Sequence, residues 1–210
     1  ELLDGRTNPS GHLPDTWPWD FYDNPVSQNF PVLGAEDPCV HEDAQGVRVV
    51  YGEDVYLGYR YFDTFGMPVA FPFGHGLSYT RFDVTPVGLA RDDDAAMVRV
   101  AVVNAGGVPG KAVVQLYAAA PAGRLEKPAH VLVGFEKTRL LAPGERQVLS
   151  LAARMEDMAS FDEGRSAWVL EAGEYRLYAG QSLGALIPCG GFTMPGRVLR
   201  EVENLGAPVE

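Results

Sequence analysis

Met97-Val98-Arg99-Val100-Ala101-Val102-Val103-Asn104 is the stretch that decides the fold. Val98, Val100 and Val102 recur at period two, which sets three β-branched residues on one face of an extended strand. Asn104-Ala105-Gly106-Gly107 follows and carries turn chemistry. Toward the C-terminus the same texture repeats. Ala112-Val113-Val114-Gln115-Leu116-Tyr117 runs to a Pro/Gly loop at 121–123, and Val131-Leu132-Val133-Gly134-Phe135 comes next. After Pro143-Gly144-Glu145 come Gln147-Val148-Leu149-Ser150-Leu151, Trp168-Val169-Leu170 and Glu174-Tyr175-Arg176-Leu177-Tyr178-Ala179. Short strands at regular spacing with turn signals between them predict an antiparallel β-sandwich over residues 81–192, the usual size for such a unit being about 100 residues. The chain is therefore expected to be mainly β.

Toward the N-terminus the texture changes. Residues 1–80 are crowded with turn formers, among them Asn8-Pro9-Ser10-Gly11, Trp17-Pro18-Trp19, Asn24-Pro25 and Phe71-Pro72-Phe73-Gly74. Such dipeptides interrupt long periodic elements. The same segment is rich in Trp, Tyr and Phe, which a solvated linker does not carry. Irregular and aromatic together, it reads as a loop-rich, incomplete segment draped over a larger body, with its rings meant for another surface. Glu1-Leu2-Leu3-Asp4-Gly5 reads as the last turn of a helix stopping at glycine, so the chain is expected to begin in mid-element. Residues 193–210 mix charged and apolar side chains and are equally compatible with a strand extension, a short helix or a linker.

Hydrophobic residues at 46% and charged residues at 21% are ordinary for a soluble globular chain of 210 residues, so disorder is not expected for most of it. A formal net charge of -11 opposes phosphate binding and excludes nucleic acid as an expected partner. It suits an uncharged partner such as a sugar. No apolar run approaches the ~20 residues that cross a bilayer, so no membrane partner is expected. The compartment, cytoplasmic or secreted, is not legible. Few Lys relative to Arg, with abundant Ala, Val and Gly, point to a bacterial source. Cys39 and Cys189 lie far apart in loop-like contexts and read as two free thiols. The spacing of His and Cys supports no metal site, and no cofactor is expected.

Three stretches together resemble glycoside hydrolase family three, the family of β-glucosidases and related exo-acting β-glycosidases. The first is Leu2-Leu3-Asp4-Gly5 through Asn8, Pro9, Ser10, Gly11 and Leu13-Pro14, with Trp17-Pro18 after it. The second and most specific is Gly58-Tyr59-Arg60-Tyr61-Phe62-Asp63 with Phe71-Pro72-Phe73-Gly74-His75-Gly76-Leu77-Ser78-Tyr79-Thr80. The third is Glu126-Lys127-Pro128, Leu132-Val133-Gly134-Phe135-Glu136-Lys137, Pro143-Gly144-Glu145 and Gly173-Glu174-Tyr175. The family usually carries another residue in place of His75. The resemblance implies the end of an α/β sandwich domain over residues 1–80 and a fibronectin type III-like (immunoglobulin-like) β-sandwich over 81–192. It implies that Asn8, Pro9, Ser10, Gly11, Gly58, Tyr59, Arg60, Phe73, Gly74, Gly76, Leu77, Ser78 and Tyr79 are structural motif residues. It also implies cleavage with retention, by an Asp on a TIM-like barrel and a Glu upstream of Asn8. This chain is therefore expected to carry neither catalytic carboxylate, and its partner would be the remainder of the glycosidase, with β-linked glycosides as substrates of the whole. Some relatives are circularly permuted, and the 197–210 tail raises the expectation that more chain follows.

Individual residues offer few alternatives. Glu53, Asp54 and Asp63 flank the aromatic 58–62 run, where a carboxylate could reach a sugar; the commoner role is a turn cap for Asp63 and a carboxylate partner for Arg60. Gly74-His75-Gly76 lacks the helix of a phosphate loop and reads as a tight backbone passage between two units. His75 is expected to be structural, and Ser78 lacks a nucleophile elbow. Asp92-Asp93-Asp94 lacks the spacing of a calcium loop and reads as a solvated turn. Tyr79 and Phe82 are expected to plug the interface between the two units. Tyr117, Phe135, Trp168, Tyr175 and Tyr178 fall on strands and are expected in the core. No substrate-binding residue is assignable. The leading reading is a non-catalytic portion that braces a β-glucosidase-like enzyme; the alternative is a self-standing carbohydrate- or protein-binding module.

Overall fold

The computed structural model describes residues 1–29, 40–43, 46–49 and 52–203. Cys39 and the end of the tail, 204–210, lie outside them. Up to residue 80 regular structure is sparse. Among the described residues it comprises strands β1 (Trp17–Pro18), β2 (Val40–Asp43), β3 (Gly46–Val49) and β4 (Val69–Phe71), a 3-10 turn at Phe21–Asp23, and helices α1 (Val26–Asn29) and α2 (Tyr59–Thr64). β1 pairs with β4, and β2 with β3, all antiparallel. Glu1–Gly5 forms a turn whose Gly5 amide donates to the Leu2 carbonyl at 3.2 Å.

The sandwich begins with β5 (Phe82–Arg91) and β6 (Ala95–Asn104), then β7 (Val113–Ala119), β8 (Val131–Lys137) and β9 (Arg146–Arg154). It continues with β10 (Ser160–Asp162), β11 (Ala167–Leu170), β12 (Gly173–Gly180), β13 (Leu186–Met194) and β14 (Arg197–Glu201). One sheet has the order β5-β6-β9, the facing one β13-β12-β7-β8, and a small third sheet β10-β11-β14. Every pairing is antiparallel.

Period two explains the core. Val98, Val100 and Val102 of β6 are fully buried while Arg99 between them faces water. They meet Leu149 and Leu151 of β9 and, across the layer, Val114 and Leu116 of β7 and Tyr175 and Leu177 of β12. Each such aliphatic side chain contributes about 1.5–3 kcal/mol by leaving water.

Four expectations need correction. Phe135 is 69% exposed, because β8 is the outer strand of its sheet and runs out of the core after Val133. Trp168 is also exposed, at 37%, since its neighbours Ala167 and Val169 take the inward positions. Tyr79 does not plug the interface: its ring is exposed and its hydroxyl donates to the Leu2 carbonyl at 2.7 Å, whereas Phe82 is buried in the core. Asp63 is no turn cap; it sits inside α2. Of the tail, Arg197–Glu201 forms a strand, β14, added beside β11. Asp92 forms the solvated turn before β6: its Oδ1 accepts from the amides of Asp94 at 2.9 Å and Ala95 at 2.8 Å, which holds its carboxyl below the usual range. Cys189 is a free thiol, and burial pushes its pKa up.

Candidate functional site

The motif residues gather along the seam where the first 80 residues meet the sandwich. Asn8 is the clasp. Its Nδ2 donates to the Pro109 carbonyl at 2.9 Å, and its Oδ1 accepts from Ser78 Oγ at 3.0 Å and the Tyr79 amide at 2.9 Å. One amide side chain thus ties together three segments. Next to it, the Ser10 carbonyl accepts from Lys137 Nζ at 3.0 Å. The Leu13 amide donates to the His75 carbonyl at 2.8 Å, and the Gly74 amide donates back to the Leu13 carbonyl at 3.0 Å. His12 Nδ1 lies 2.6 Å from the Gly74 carbonyl oxygen. Pro9, Gly76, Leu77 and Ser78 line a cleft of about 390 Å³ on this side.

Gly74 and Gly76 are there because the passage is too tight for a Cβ. Gly74 has φ +80°, and a Cβ on it would run into the Gln115 carboxamide of β7. A Cβ on Gly76 would lie 2.6 Å from the Gly11 carbonyl oxygen. Gln115 cannot easily withdraw: it is buried, and its Oε1 accepts from the Tyr117 hydroxyl at 2.6 Å. Burial raises the Tyr117 phenol far above its ordinary pKa, so it remains a donor at all working pH.

Helix α2 makes the second half of the seam. Gly58 enters it with φ +57°, and the Tyr59 ring packs on Phe73 at 4.8 Å and on Tyr117 at 6.3 Å between centroids. Tyr59 Oη accepts from the Leu132 amide at 3.0 Å. One turn on, Asp63 Oδ2 lies 2.8 Å from His130 Nδ1, and Thr64 Oγ1 accepts from the Ala129 amide at 2.9 Å. Asp63 therefore faces the sandwich loop and not open space. Arg60 is half-buried and lines a cleft with the 124–128 loop. Glu53 is buried and Asp54 stands exposed on a turn with φ +49°.

Some seam residues carried no signal in the chain. Asn104 read as a turn residue, yet it is fully buried: its Nδ2 donates to the carbonyls of Val108 at 2.8 Å and Leu141 at 2.9 Å. Its Oδ1 accepts from Thr80 Oγ1 at 2.6 Å, joining the segments at residue 80. Lys127 pairs with Glu171, which also accepts from the amides of Arg124 at 2.9 Å and Leu125 at 3.2 Å. Burial opposes the Glu171 carboxylate, but Lys127 and the two amides outweigh it and hold its pKa below the ordinary value. Only the Asn after a strand and the charged Glu126-Lys127-Pro128 run hinted at these roles.

Among the described residues of the first 80, several large apolar side chains stay exposed. Trp19 is 74% exposed, and Leu3, Trp17, Phe21, Tyr22, Leu57 and Phe65 are exposed as well. Scattered apolar residues are normal on a protein surface; here the large exposed rings are concentrated in one irregular segment. Among the described residues no group of three His, Cys, Asp or Glu side chains could hold a metal ion, and no helix is long and apolar enough to cross a membrane.

Comparison with known proteins fits this geometry. A fibronectin type III-like domain family matches residues 112–183. A β-glucosidase of Ruminococcus albus is 41% identical over 99% of this chain, and β-glucosidase A of Butyrivibrio fibrisolvens is 44% identical over 87% of it. The chain spans 21% and 23% of those two relatives. Among solved structures, a β-glucosidase from Paenibacillus barengoltzii superposes on the whole chain with a TM-score of 0.87 at 38% identity. β-Glucosidase 3B from Thermotoga neapolitana, in complex with α-D-glucose, superposes on 95% with a TM-score of 0.83 at 42% identity. The chain covers 23% and 26% of those structures.

Proposed function

Since this chain belongs to glycoside hydrolase family three, we propose that it is the non-catalytic portion of a retaining, exo-acting β-glycosidase of the β-glucosidase type. In this reading residues 1–80 complete the α/β sandwich beside a TIM-like barrel, residues 81–192 are the fibronectin-like unit, and the rest of the glycosidase is the partner. The single observation that carries it is the double character of the first 80 residues. The segment is fastened to the sandwich through Asn8, Phe73, Tyr59 and Asp63, and it also carries large rings that stay exposed to water. The sandwich acts as a brace: it fixes a segment too irregular to hold its own shape, so that the rings meet the partner already positioned. Catalysis by retention needs two carboxyl groups about 5–5.5 Å apart across the scissile bond, in a pocket that holds the sugar ring. In this proposal both come from the partner, and the substrates are β-linked glycosides.

The purified chain should not turn over aryl β-glucosides, and production together with the segment carrying barrel and acid/base should yield a complex that does. Turnover by the chain alone, or a fully active partner in its absence, would end this reading.

A further inference from the structure

We infer that the small sheet of the sandwich carries a binding site for a neutral saccharide. Phe161 of β10 stands directly opposite Trp168 of β11, which in turn stands opposite Arg200 of β14. Residues paired across antiparallel strands point to the same side. The three therefore form a row, Phe161, Trp168, Arg200, on the outer face of the sheet, and all three are exposed. The two ring centroids lie 5.4 Å apart with planes tilted by 58°, a shallow V. The pair supports the sheet as a cross-strand aromatic contact, and it also leaves more than a third of each side chain open to a ligand.

The row opens on a cleft of about 620 Å³ that Phe161 and Trp168 line together with the 124–128 loop. That volume is within the ~300–1,000 Å³ span of small-molecule sites. Its floor is polar. Asp162 is 1% exposed and pairs through Oδ2 with Arg124, while its Oδ1 is buried without a hydrogen-bond partner among the described residues.

The ligand class follows from the combination. Flat rings offer an apolar face to the C–H face of a pyranose, and carboxylate and guanidinium groups take its hydroxyls as donors and acceptors. Six carboxylates against three cations line the cleft, on a chain of net charge -11, which disfavours phosphates and acidic sugars. A neutral saccharide of two or more rings fits the row and the cleft together.

The test is titration of the full 210-residue chain with cellotetraose, followed by tryptophan fluorescence and by retardation in gels containing β-glucan. The expected result is a saturable signal that Trp168→Ala and Phe161→Ala each weaken about tenfold or more, with far-UV circular dichroism unchanged. Trp168→Phe keeps a ring and should bind at an intermediate level, which separates loss of stacking from loss of folding. Three results would overturn the site: no saturable response to cellotetraose, undiminished binding by Trp168→Ala, or saturation by tetramethylammonium in place of the sugar.

Discussion

Asn8→Ala removes the clasp of the seam without touching the sandwich core. Three hydrogen bonds are lost, to Pro109, Ser78 and Tyr79. A hydrogen bond contributes about 0.5–1.5 kcal/mol net, and these are partly open to water, so about 2 kcal/mol is expected for the set. The loss is local. The Val98–Val102 and Leu149–Leu151 faces stay packed, so the sandwich should keep its unfolding midpoint while residues 1–13 and 74–80 open more often. An opening equilibrium shifted by about 2 kcal/mol is roughly thirtyfold. Amide exchange read by mass spectrometry should therefore show the Tyr79 amide exchanging roughly thirtyfold faster, with β6 and β9 unchanged. Asn8→Asp keeps both acceptor contacts but sets a carboxylate against the Pro109 carbonyl, and should loosen the 109–110 loop in particular. A change of less than about threefold at Tyr79 would mean that the clasp contributes nothing, and the account of the seam would fall with it.

Two further outcomes follow from the same geometry. Gly74→Ala meets both a left-handed backbone and the buried Gln115 carboxamide and should cost about 3 kcal/mol in urea unfolding, whereas Gly5→Ala, with φ +74° and open space around it, should cost about 1; equal losses would show that Gln115 yields freely. Because Glu171 has its pKa lowered in the fold, its contribution is complete above the unfolded-state value of about 4.3 and is lost as pH falls through the lower folded value. The urea midpoint should drop below about pH 4 in the native chain and drop less in Glu171→Gln; parallel profiles would place the acid-sensitive group elsewhere.

The strands with clean alternation were legible in the chain: 98–102, 147–151 and 174–179 all fall inside β6, β9 and β12. β13 was not read as a strand because Pro188-Cys189-Gly190-Gly191 breaks the period, and Pro86-Val87-Gly88 interrupts β5; the structure absorbs both as register shifts in the pairing. Burial was harder to read than strand position. Phe135 and Trp168 have strand propensity, but exposure depends on whether a strand is central or outer and on which residue takes the inward position, neither of which is a local property. The contacts that make the seam, Asn8 with Pro109 and Asp63 with His130, join residues 101 and 67 apart. No periodicity encodes such pairs.

That separation governs the order of assembly. Adjacent antiparallel strands such as β5 and β6 meet after a turn of three residues, whereas Asn8 can find Pro109 only once a loop of about a hundred residues has closed, at an entropic cost that grows as (3/2)RT ln n. The sandwich should therefore condense first and the clasp snap shut late, after the folding barrier. Interactions formed that late slow unfolding without hastening folding. The seam is thus a kinetic latch, and damage to it would appear as a shorter lifetime of the assembled state before any defect in reaching it.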